Sequence, residues 1–135
     1  MAAMSQSPTD GNKGFESLNR PLSREEQELV LWLIDHGSSD DRAHLQAQVP
    51  TLTVHWRCRC GCPTVHFALN GATVERKGRH VIAHCLGRVN GMEVGVMLVD
   101  REGVLTELEV YALLGNDKPF GLPGISTLHS FEEHT

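Results

Sequence analysis

The sequence predicts an α+β fold in which two N-terminal helices pack on an antiparallel β-meander of about five to six strands. Apolar residues recur at helical spacing only before Pro50, and beyond it they alternate with a period of two. Between the alternating stretches lie Asn70-Gly71 and Asn90-Gly91, the dipeptides that tight hairpins favour. The chain has 135 residues, of which 40% are hydrophobic, and this suits one core better than two.

Residues 1–19 are rich in Ser, Gly, Asn and Asp without periodicity, and are expected to be a flexible N-terminal tail. Residues 20–135 then form a single domain. The first helix opens with Ser23 and Glu26, a capping box in which hydroxyl and carboxylate each satisfy a free backbone N–H. Leu29, Val30, Leu33 and Ile34 give it an apolar stripe, and Gly37 is expected as a left-handed C-cap. A shorter second helix is capped by Ser39, carries Asp40 and Asp41 in its first turn, buries Leu45 and Val49, and stops at Pro50.

Leu52, Val54 and Trp56 then alternate with polar residues as a half-buried strand. The apolar parity flips to Val65, Phe67 and Leu69, so a turn or bulge is required near Gly61-Cys62-Pro63. Placing Val89 opposite Met92, and closing a type I turn so that Asp100 faces Val104, aligns three further strands. One face then reads Val81, Ala83, Cys85, Val94, Val96, Leu98, Leu108 and Val110. The opposite face grades from Glu93 and Tyr111 through Glu109, His84, Met97 and Glu107 to Ile82, Val99 and Leu105. That apolar end must be covered, which makes these nine residues a candidate binding face. Residues 114–135 read as an irregular tail that packs on the sheet, with Phe120, Leu122, Ile125 and Leu128 as anchors.

Four cysteines are present, three of them in Cys58-Arg59-Cys60-Gly61-Cys62-Pro63. Thiolates are good zinc ligands, and Gly61 lets the backbone fold sulfurs toward one point. The spacing lacks the paired C-x-x-C of common zinc knuckles. A fourth ligand would come from His66, the leading candidate, or from His55, His80, His84 or Cys85. Strand parity places Cys58 and Cys60 with Leu52 and Val54, where thiols would be packed in the core without metal. A redox role would need an activated thiolate, for which Arg57 or Arg59 is the local positive charge.

The formal net charge of −5 argues against a nucleic-acid partner. No apolar run approaches the roughly 20 residues of a membrane helix, and the first residues lack the features of a secretory signal. A cytoplasmic location without membrane association is expected. The phosphate-loop, dinucleotide and nucleophile-elbow motifs are missing, and His80 and His84 lack the adjoining glutamate of H-E-x-x-H chemistry, so no catalytic residue is assigned.

The C-x-C-G-C-P element at residues 58–63 is followed by V-x-L-V-x-x-x-G-x-L-x-x-L-E-V-Y over residues 96–111. Together they resemble a family of short bacterial proteins of no established activity. Arg20-Pro21-Leu22-Ser23 and Leu122-Pro123 fit the same pattern. The resemblance implies a fold and a compartment, and it assigns no catalytic residue. The leading expectation is a noncatalytic protein-binding or regulatory module without a cofactor, using the outer sheet face. The alternatives are a structural zinc domain built on Cys58, Cys60, Cys62 and His66, and a thiol-based redox protein.

Overall fold

The computed structural model describes residues 15–72, 75–115 and 118–130. Among them the chain runs β1 (Phe15–Pro21), α1 (Arg24–His36), α2 (Arg42–Gln48), a 3-10 turn (Val49–Thr51), β2 (Leu52–Cys58) and β3 (Val65–Leu69). It continues through β4 (Arg79–Val89), β5 (Met92–Arg101), β6 (Val104–Ala112) and a second 3-10 turn (Ile125–Thr127). The strands form one open antiparallel sheet in the order β1-β2-β3-β6-β5-β4, so two strand triplets meet where β3 pairs with β6.

The α+β class and the antiparallel sheet agree with the sequence. Both helices, however, lie between β1 and β2 rather than ahead of all strands. Residues 15–19, read as tail, belong to a strand, while residues 1–14 lie outside the described part. Periodicity misses β1 because it is fastened by specific pairs more than by an apolar face. It pairs with β2, Glu16 bonds Arg57 at 2.9 Å, and Arg20 makes two 2.9 Å bonds to the buried Glu26. Such a two-pronged guanidinium–carboxylate contact fixes orientation as well as distance.

The capping box forms as expected: Glu26 N–H donates to Ser23 Oγ, and Ser23 N–H donates to Glu26 Oε1. Gly37 does end α1, but its backbone is extended (φ −87°). Glycine fits there because a Cβ would lie 2.7 Å from the carbonyl oxygen of Ile82. The N-cap of α2 is Asp41, which places Asp40 and Asp41 before the helix.

The core lies between the helices and one sheet face. Leu29, Val30, Leu33, Ile34 and Leu45 meet Leu52, Val54, Val65, Phe67, Val94, Val96, Leu98, Leu108 and Val110. Phe120, Leu122 and Leu128 pack against its margin, and His129 pairs with Leu86 on the outer edge of β4.

Bulges decide which side chains reach that core. The β4–β5 pairing follows the expected register from Val89–Met92 to Ala83–Leu98, then shifts so that Val81 faces Val99. The next hairpin turns on Glu102-Gly103, both at positive φ, and Arg101 faces Val104. A bulge at Thr106 then resets the ladder, so Tyr111 lies opposite Gly95 instead of Glu93. Ile82 and Leu105, expected on the outer face, are thereby turned into the helix-side core at 2% and 0% exposure. Each bulge inserts one residue and so inverts the parity of everything beyond it.

Candidate metal centre

Cys58 is the last residue of β2, and the loop from it to β3 carries Cys60 and Cys62. A bulge at His55 separates Val54 opposite Phe67 from Trp56 opposite His66. It takes Trp56 and Cys58 out of phase with Leu52 and Val54. The expectation of core-packed thiols is therefore corrected: Cys60 is exposed, and Cys58 and Cys62 are half-buried.

The loop is held from three sides. Cys58 N–H donates to the Thr64 carbonyl at 3.3 Å, closing its neck. Thr64 Oγ1 accepts from Val110 N–H at 2.9 Å and donates to the Val110 carbonyl at 3.1 Å, which clamps the far end to β6. At the crown, Phe120 N–H donates to the Gly61 carbonyl at 3.0 Å. Gly61 has φ +98°, and a Cβ on it would lie 2.8 Å from Pro119 Cα. Only glycine meets both conditions without strain.

Within this frame the three sulfurs converge. Cys58 Sγ lies 2.7 Å from Cys60 Sγ, which lies 2.9 Å from Cys62 Sγ, and all three fall within 4.8 Å of one another. The Cys60 and Cys62 backbone N–H groups donate to the sulfurs of Cys58 and Cys60, each at 3.3 Å. The cluster could hold a metal ion.

His66 does not join it. Its ring lies tilted against Trp56 with centroids 3.3 Å apart, and its Nε2 lies 3.8 Å from Glu107. Burial, and then the neighbouring His55, hold its pKa down at about 4. The other candidates are engaged elsewhere: His55 meets the Trp56 and His66 rings, His80 bonds Asp100 at 2.7 Å, and His84 bonds the Tyr111 hydroxyl at 2.6 Å. Cys85 sits in the core, where burial pushes its thiol up to about 11.

The rest of the expected binding face is an ionic network. Arg79 bonds Glu109 at 2.9 Å, and Arg101 bonds the buried Glu107 at 3.1 Å. Burial pushes Glu107 up, but hydrogen bonds from Glu109 and Arg101 and the charge of Arg79 leave it below the usual range. Glu109 is raised, first by its hydrogen bond to Glu107 and then by burial. Met97 lies opposite both His84 and Glu109, and Glu93 lies opposite Arg88. Val99 is wholly buried without belonging to the helix-side core.

Sequence reasoning did not single out Thr64, Gly95, Pro119 or Gln48. Tyr111 lies across Gly95 so closely that a Cβ there would collide with its ring. A glycine inside a strand is the signal that could have revealed this close approach. No protein family, curated protein or solved structure matches the chain. Among the described residues, no helix is long and apolar enough to cross a membrane.

Proposed function

We propose that this chain is a zinc-binding domain whose ion is held by Cys58, Cys60 and Cys62. The observation that carries the reading is the convergence of three sulfurs within 4.8 Å on a loop braced by β6 and the C-terminal segment. Zinc accepts thiolate ligands at about 2.3 Å, which keeps tetrahedral sulfurs about 3.8 Å apart. The present separations of 2.7 and 2.9 Å are shorter, so loading opens the triangle at its exposed corner, Cys60. A cation also relieves the mutual repulsion of thiolates held this close.

The docking face, the leading expectation from the sequence, counted Ile82 and Leu105 among its residues, and both belong to the core. Native mass spectrometry of protein purified without added metal or chelator tests the zinc reading. One zinc per chain is expected, lost in Cys60→Ser and retained in Cys85→Ser. A chelator should lower the Tm of the wild-type chain, since metal binding contributes to folding free energy. A metal-free chain that also takes up no zinc after reduction overturns it.

A further inference from the structure

Zinc bound to protein is four-coordinate, and a site with three protein ligands keeps its fourth position for a water or an outside molecule. Among the described residues no fourth His, Cys, Asp or Glu atom lies with the three sulfurs. A cavity of about 300 Å³ adjoins them instead, lined by the three cysteines together with Glu109, Tyr111 and Phe120. That volume is at the lower end of small-molecule sites. It suits a ligand of a few heavy atoms.

Resting on the zinc reading above, we propose that the fourth position is an exchangeable site for a low-molecular-weight thiol. Soft donors favour a centre already built of thiolates, and a fourth sulfur completes the ligand set that closed zinc sites commonly use. The cavity wall matches the remainder of such a molecule. Phe120 lines the cavity with an apolar ring that suits a short carbon chain, and Glu109 lines it with a carboxylate for the polar end. Tyr111 also lines the cavity, while its hydroxyl is taken by His84 at 2.6 Å over the bare backbone of Gly95. The binding step is a ligand exchange: the thiol loses its proton to solvent, its sulfur bonds the ion, and a water leaves. Nothing is oxidised or reduced.

Cobalt(II) in place of zinc makes the fourth position visible. The full chain is reduced, freed of reductant and loaded with one cobalt per chain without oxygen, then titrated with 2-mercaptoethanol. The sulfur-to-cobalt charge-transfer band should rise saturably by about one third as a fourth sulfur joins three, with cobalt still bound. Ala112→Leu, which narrows the cavity wall, should keep the cobalt stoichiometry and abolish the rise. A cobalt-loaded chain whose spectrum ignores the thiol, or loses cobalt to it, overturns the open position while leaving the metal site standing. A chain that takes up no cobalt overturns the metal reading itself.

Discussion

Gln48 shows how much one polar side chain can decide. It is 7% exposed, and its amide nitrogen donates to the Gly103 carbonyl at 2.7 Å while its oxygen accepts from Leu105 N–H at 2.9 Å. These two bonds supply backbone partners where the bulge at Thr106 interrupts the ladder, and they hold the turn that brings Leu105 inward. Truncation leaves the buried Leu105 N–H unsatisfied, at about 1–3 kcal/mol, while the Gly103 carbonyl keeps His44 Nε2 at 3.2 Å. Gln48→Ala should therefore lower the urea-unfolding free energy by about 1–3 kcal/mol. A loss under about 0.5 kcal/mol, the range of ordinary surface changes, would show that the bulge does not depend on Gln48.

Among the elements, the cysteine loop depends most on a single backbone conformation. Gly61→Ala puts a side chain at φ +98° and against Pro119. It should weaken zinc binding about tenfold or more, a cost of about 1.4 kcal/mol, in a competition titration with a chromophoric chelator. Global stability of the metal-free chain should fall much less. Equal zinc affinity in the variant would mean that the Pro119 contact does not shape the site. The cysteine spacing was legible in the sequence, and so were α1 with its capping box and the Asn90-Gly91 hairpin, because each rests on contacts a few residues apart. The bulges at His55, Ile82 and Thr106 were not. A bulge is set by distant partners, such as Ser38 N–H donating to the Ile82 carbonyl or Gln48 at Leu105. Alternation assumes an unbroken period of two, and so Cys58, Ile82 and Leu105 were placed on the wrong sides.

At the scale of the whole molecule, the half-buried His66 and the buried Glu26 divide the acid response into successive windows. His66 is held neutral by burial first and then by His55, with a pKa of about 4, whereas an unfolded histidine titrates near ~6.5. Between these values the unfolded chain binds more protons, so stability falls as pH drops from about 6.5 to 4, by at most about 3 kcal/mol. Glu109 opposes this over part of the range, because its raised pKa lets the folded chain take up a proton first. Glu26 acts lower. Burial pushes its carboxyl up, but the bonds from Arg20 and Ser23 more than offset that, and it titrates below the ordinary value. Its contribution is complete above the unfolded glutamate pKa of about 4.3 and is lost as pH falls through the folded value. Urea unfolding measured from pH 7 to 3 should thus show a first decline that His66→Phe reduces, since phenylalanine keeps a ring against Trp56 without a titrating group. A second decline below about pH 4.3 should be flattened by Glu26→Gln. If the first decline survives in His66→Phe, the His66 imidazole is not its source, and the proton uptake belongs to His55 and His84, whose pKa values burial also lowers.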